Sequence, residues 1–415
     1  MKKKTARPTR KPPPNKPEPE TPPIVEAPAA TPITVEETAK PEELQDRLVI
    51  YFRRLDWDVI GTILAIKAVF YIYGTQAFQV LTNSDVGGFP RWLTIWNRWD
   101  ATHYIDLAQN GYQTTGDAKY WIIFYPLFPW LIRIIAVVFD NYIISALIVV
   151  AIASVAAGLL LKQLVKLDYG EDIANHAVWF LFIFPGSGAL HMPFTESVFL
   201  ALAIGSFLTA RKDRWALAGL LGALACLTRI NGLVLMPALA VEAGYQYWKT
   251  RRWLWQWLWI GFIGFGILGY LLLNYHVFSN PFMFMTFRRE HFFQVMSWPW
   301  VGTKDLVLAM RQSGEAGVIR GAQDLFFVAL GLAGTVWSFI KLRPSYAVWM
   351  ACNWLLFAST TFILGAARFS LILFPLFILF ALLSMRKVWY ATITVWSLLF
   401  LALFTGLYVE GHFVY

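Results

Sequence analysis

Runs of about twenty apolar residues recur along this 415-residue chain, each long enough to cross ~30 Å of hydrocarbon at about 1.5 Å per helical residue. Inside a bilayer only helices and closed barrels satisfy their own backbone, and apolar runs of this length are helical ones, so the fold expected is an all-α polytopic membrane protein. With 57% apolar and 15% charged residues, a water-soluble fold could not bury the apolar surface. The 20 Trp agree, because Trp and Tyr favour the membrane interface. A net charge of +9 would be compatible with nucleic acid, but the Lys and Arg fall in short clusters between apolar runs and make no continuous basic face, so membrane lipids and not nucleic acid are the expected surroundings. Cys226 and Cys352 each lie within an apolar run, with no disulfide framework or metal-ligand spacing, and read as packing residues.

Residues 1–45 are of another kind. Lys2, Lys3, Lys4, Arg7, Arg10, Lys11 and Lys16 come without an acid and lead into a Pro-, Glu- and Thr-rich stretch with almost nothing to bury, so a disordered cytoplasmic tail is expected ahead of one membrane domain, 46–415. Arg53 and Arg54 then put the start of the first span, 59–80, on the cytoplasmic side. The same rule applies to Lys162/Lys166, Arg211/Lys212/Arg214, Lys249/Arg251/Arg252, Lys341/Arg343 and Arg386/Lys387. Only one of the two apolar stretches at 121–139 and 142–161 can then cross. Pro126, Pro129 and Arg133 interrupt the first, which is expected to lie on the outer surface or to be re-entrant. Further spans follow at 173–191, 196–210, 215–229, 231–247, 255–277, 322–340, 345–364, 369–384 and 388–410, roughly eleven crossings in all. The two long polar loops, 81–120 and 278–320, then fall on the non-cytoplasmic face.

The first of these loops carries a dense constellation, Trp96-Asn97-Arg98-Trp99-Asp100-Ala101-Thr102-His103-Tyr104, ending near Gly111. Asp100 is a good N-cap and Gly111 a good C′ residue, so a short surface helix is expected between them. Spacing alone leaves Asp100 equally a cap or a reactive acid, and His103 is more often a hydrogen-bonded neighbour than a ligand.

The run Arg98-Trp99-Asp100-Ala101-Thr102-His103-Tyr104 resembles the first lumenal loop of the PIG-V family of GPI mannosyltransferases. The resemblance continues, in the family's order, through Phe124-Tyr125-Pro126-Leu127-Phe128-Pro129, Pro193-Phe194-Thr195-Glu196-Ser197 and Leu227-Thr228-Arg229-Ile230-Asn231-Gly232. Ala367-Arg368-Phe369 and Leu373-Phe374-Pro375 are a fainter echo. It implies a GT-C fold with surface helices in the first outer loop, and an inverting transfer of a hexose, mannose in the family, from a polyprenyl-phosphate carrier to a glycolipid, glycan or protein acceptor. No cofactor is implied. The outer side has no Asp-x-Asp, so a tightly held divalent metal is not expected.

Such a transfer needs a base for the acceptor hydroxyl and cations for the departing phosphate, but no second carboxylic acid; a glycosidase normally needs a carboxyl pair. Asp100 is the candidate base. Arg229, Arg288, Arg289 and Arg368 are phosphate candidates because guanidinium groups bind phosphate oxygens in a planar fork, the plain alternative for each being snorkelling to headgroups. Arg229 stands out because it lies between two short apolar arms, where a charge is costly. Arg98, His103, Tyr104, Glu196 and Asn231 complete the candidate substrate-binding set, with Glu196 otherwise an ordinary helix-start acid. A lipid-sugar transporter or flippase, or a noncatalytic subunit of a glycosylation complex, are the rival readings; few ionisable groups in mid-span and no clear internal repeat speak against a transporter. A prokaryotic plasma membrane is the expected location, with the endoplasmic reticulum as the alternative.

Overall fold

The structure, a computed structural model, describes residues 56–314 and 316–414. The expected tail at 1–45 and the Arg53/Arg54 flank lie outside the described residues. Within them the chain is helical, with a single isolated bridge, Met296 to Thr360, and no named strand.

Five helical segments are long and apolar enough to cross a membrane: Trp57–Thr82, Tyr142–Tyr169, Trp255–Phe278, Gly317–Lys341 and Lys387–Glu410. They match five of the expected spans. Two bent pairs raise the number to seven if each is one span: Asp117–Ile123 with Leu127–Phe139, bent by 110°, and Ala366–Ile372 with Pro375–Leu383, bent by 89°. The protein is therefore a multi-pass membrane protein, although by this measure the expected eleven crossings are not reached. The remaining expected spans are helices of 12 to 16 residues, such as Glu171–Ile183, Glu196–Arg211 and Trp215–Cys226, too short to cross alone. Two of them run into 3-10 turns, Pro185–Leu190 and Ile230–Val234.

The first bent pair accounts for 121–139. Pro126 cannot continue the preceding turn, and the chain folds back there as a broken span or re-entrant piece. Arg133, the charge that made this stretch a poor span, donates from Nε to Ala108 O (2.6 Å) and so ties it to the C-terminal end of the helix Asp100–Asn110, where a cation is favoured.

The basic clusters do more than mark topology. Arg211 grips Asp168 with two parallel bonds of 2.7 and 2.8 Å, Arg343 grips Glu242 with two of 2.8 Å, and Lys162 bridges Asp56 and Glu171, tying helix ends together on the face expected to be cytoplasmic. Lys67 and Asp324 lie buried within spans and are held by backbone: Lys67 donates to Leu190 O (2.7 Å), and Asp324 accepts from Gly365 and Ala366. Cys226 and Cys352 are free and pack in the bundle as expected.

Small residues set the closest approaches, as in other membrane bundles. A Cβ on Gly266 would lie 2.0 Å from Ala223 O, and one on Gly219 would lie 2.3 Å from Trp259 O. Gly266→Ala is expected to lower stability by about 1–3 kcal/mol, read as a lower melting temperature in detergent. Gly261→Ala, with nothing within 4 Å of the added methyl, should melt with the parent.

Candidate active site

Asp100 does not cap its helix. Trp99 occupies the N-cap position with φ 54° and ψ −129°, no side chain caps the helix, and Asp100 is the first helical residue. A bulky residue at positive φ is strained; here it turns the chain so that the Asp100 carboxylate faces Arg368, whose Nη1 donates to Oδ2 at 2.7 Å. The expected cap is absent because the acid has a charged partner instead. Gly111 does close the helix, with its N–H on Leu107 O and φ 76°.

Glu196 begins the helix Glu196–Arg211 and is completely buried. It accepts from Arg368 Nε (2.5 Å) and from Arg229 Nη1, while Arg229 also donates to Thr195 Oγ1 (3.0 Å). Arg229 and Arg368 are themselves only 9% and 6% exposed, too buried to be snorkelling. Phe369 lies under the Arg229 guanidinium and Phe194 under that of Arg368. Two charges stripped of water require this kind of pairing. The turn that presents Arg229 is held by Asn231, which donates to Asn353 Oδ1 (2.8 Å).

These groups open onto one cavity of about 810 Å³, lined by Asp100, His103, Tyr104, Arg229, Asn231, Arg288 and Arg368. Seven of the ten residues singled out in the sequence thus line a common space, and Glu196 braces two of them from behind. Arg98 and Arg289 are not brought in. Arg98 turns back to Ile95 O (3.3 Å), and Arg289 is exposed on the far side of the helix Met283–Glu290, because consecutive helical residues cannot face the same way.

Arg288 differs from the other two arginines. Its Nε donates to Gln294 Oε1 (3.0 Å), and among the described residues no carboxylate pairs with it. Burial, acting first, pushes its pKa down, the mark of a charge without enough compensation. His103 stacks on Trp121 (centroids 3.7 Å apart), and burial holds it below the usual imidazole range, so it is neutral at pH 7. Burial likewise drives the Tyr104 hydroxyl well above its ordinary pKa, leaving it a neutral hydrogen-bonding group.

Sequence reasoning missed Arg320, Gln294 and Phe413, which also line the cavity. Arg320 is paired with Asp305 and lies over the Phe362 ring (4.1 Å). Only its place at the end of the second outer loop could have signalled it. That loop forms two short helices, Met283–Glu290 and Pro299–Ala309, with Trp298 and Trp300 stacked on each other at the start of the second, their ring centroids 5.0 Å apart and both exposed, as suits a segment lying in headgroups.

Residues 125–271 match the family described as dolichyl-phosphate-mannose-protein mannosyltransferase. Over that stretch, about a third of the chain, the protein is similar to the GT-C mannosyltransferases. Among curated proteins it is 30% identical over 144 residues to GPI mannosyltransferase 2 of Cryptococcus neoformans var. neoformans serotype D, a match covering 33% of this chain and 34% of that protein. The match thus spans about a third of the curated relative's length. Among solved structures, ArnT from Cupriavidus metallidurans bound to undecaprenyl phosphate aligns with TM-score 0.41 and 16% identity over 85% of this chain and 78% of that one. The Archaeoglobus fulgidus oligosaccharyltransferase, tethered to an acceptor peptide, aligns with TM-score 0.40 and 13% identity over 84% and 53%. The family match takes in Glu196 and Arg229 but not Asp100, Arg288 or Arg368.

Proposed function

We propose that this chain is an inverting glycosyltransferase that moves a hexose, with mannose the sugar suggested by the family match, from a polyprenyl-phosphate carrier to a hydroxyl of a glycolipid, glycan or protein on the non-cytoplasmic face. The observation that carries the reading is the charge arrangement of the cavity. Four arginines line it; Asp100, Glu196 and Asp305 pair with three of them, and Arg288 is left over. One unneutralised guanidinium beside a free carboxylate edge suits a donor with one negative charge and an acceptor with a proton to lose.

The acceptor oxygen attacks the anomeric carbon, and the bond from that carbon to the phosphate oxygen breaks with its electron pair remaining on phosphate. Asp100 takes the acceptor's proton. Its Oδ2 is held by Arg368, which orients the carboxylate, while Oδ1 has no hydrogen bond among the described residues. Arg288 stabilises the growing charge on the leaving phosphate, with Arg320 nearby as a second donor. Because arginines supply this charge, the reaction calls for no tightly held divalent ion. The apolar walls, Trp99, Phe369 and Phe413 among them, suit a sugar face and a prenyl chain.

Kinetics with a short-chain polyprenyl-phosphate hexose test the phosphate assignment. Arg288→Ala should raise the donor KM by about tenfold or more, the worth of one charge-assisted hydrogen bond; an unchanged KM would return Arg288 to a structural role. Arg289→Ala should leave the KM within about twofold, as an exposed charge far from the cavity contributes little. The active face is tested with cysteines at exposed positions: Ser84→Cys should react with an impermeant reagent from outside intact cells, and Lys212→Cys should not. The reverse pattern would turn the cavity to the cytoplasm.

A further inference from the structure

Arg368 is the hinge of the charge cluster, since among the described residues it alone pairs with both Asp100 and Glu196, yet it sits on a short helix, Ala366–Phe369, that runs on only as the 3-10 turn Ser370–Ile372. So short a helix cannot hold its own geometry in isolation. We propose that Asp324 is a positioning residue that acts through Arg368 to aim the Asp100 carboxylate; the inference rests on the reading of Asp100 as the base.

Asp324 is the first residue of the helix Asp324–Lys341 and is 1% exposed. Its Oδ1 accepts from Ala366 N (2.8 Å) and its Oδ2 from Gly365 N (3.2 Å), so a carboxylate from a neighbouring span caps the short helix that carries Arg368. Among the described residues these two backbone N–H groups are its only hydrogen-bond partners, and no cation forms an ion pair with it. A carboxylate at such a position is costly and is kept only where it is used. Gly365 is at φ 74°, the left-handed turn that brings both N–H groups round to one side chain. A second restraint acts further along: a Cβ on Gly186 would lie 2.2 Å from Ala367 O and 3.1 Å from Arg368 N, so the turn Pro185–Leu190 can press against this segment only with glycine there. Asp324 pins the start of the short helix, Gly186 its middle, and Arg368 passes the position on to Asp100.

The test is a double-mutant cycle on the full chain in lipid nanodiscs: parent, Asp324→Asn, Arg368→Lys and the pair together. Asn matches Asp in size and keeps one acceptor, but turns an amide donor toward a backbone N–H. Asp324→Asn is expected to lower kcat by about tenfold or more, as small misplacements at a reacting centre do, with the donor KM changed by less than about twofold. Added to Arg368→Lys it should cost less than about twofold further, because the residue through which it acts is already changed. Multiplying losses, or parent-like turnover in Asp324→Asn, would overturn the proposal. Should Asp324→Asn not fold, Gly186→Ala takes its place in the same cycle, with the same non-additive outcome expected and additivity the contrary result. If the parent transfers no sugar from any polyprenyl-phosphate donor, the functional reading fails by itself, and the cycle is read from melting temperatures: shifts that do not add support the coupling, and shifts that add overturn it.

Discussion

Asp100→Asn is expected to give a protein that inserts, melts near the parent temperature and binds the lipid donor, while turnover falls by about 10²- to 10⁴-fold, the usual worth of a general base. The geometry makes this substitution clean. Asp100 does not cap the helix Asp100–Asn110, so no cap is lost, and Arg368 keeps Glu196 as a partner when the Asp100 charge is removed. Asn retains an oxygen for Arg368 Nη1 but cannot accept a proton at neutral pH. Steady-state kinetics alongside a melting curve separate the two effects. Near-parental turnover in a well-folded protein would remove Asp100 as the base.

Glu196→Ala is expected to act on stability instead, and strongly. One fully buried carboxylate neutralises two buried guanidinium groups, so its removal strands Arg229 and leaves Arg368 only Asp100, and breaking a buried pair in this way typically costs about 3–5 kcal/mol. The melting temperature in detergent should fall sharply, and expression with it. Replacing the group as a whole, Glu196→Leu with Arg229→Met and Arg368→Met, should melt well above Glu196→Ala, because the one member of the cluster then left without its partner, Asp100, is part-exposed and not fully buried, yet it should be inactive. A Glu196→Ala protein as stable as the parent would show that water reaches these arginines and that the cluster is not the closed charge network described above.

Much of this was legible in the sequence, and what escaped has identifiable causes. The long spans were plain because length and apolarity are additive along a helix: 59–80, 142–161, 255–277, 322–340 and 388–410 each match a long helix. The shorter segments were overcounted as crossings, since an apolar run such as 173–191 reads as continuous even though Pro185 ends its helix and a 3-10 turn completes it. Asp100, Glu196, Arg229 and Arg368 were each visible as a charge next to apolar sequence. Their pairing was not, because partners 33 to 268 positions apart meet only through the fold. Asp100 was assigned a capping position by local spacing, and tertiary pairing with Arg368 overrode it. Arg288 and Arg289 are indistinguishable in sequence; a helix separates them by about 100° and sends only one to the cavity. Arg320 and Asp324 were passed over because one closes the expected loop 278–320 and the other lies at the start of the expected span 322–340, places where a charge ordinarily needs no explanation.

The central claim is that the cavity breaks a sugar–phosphate bond and does not merely move a lipid. Reconstituting the purified full chain in liposomes with a polyprenyl-phosphate hexose labelled on the sugar, together with glycolipid, glycan and peptide acceptors, tests it most directly. Transfer predicts that label leaves the carrier and appears in a new glycoside of inverted anomeric configuration, with one equivalent of polyprenyl phosphate released per sugar and with both products absent for Asp100→Asn. Label that stays on its carrier while passing from one leaflet to the other would contradict the account and make the protein a lipid transporter.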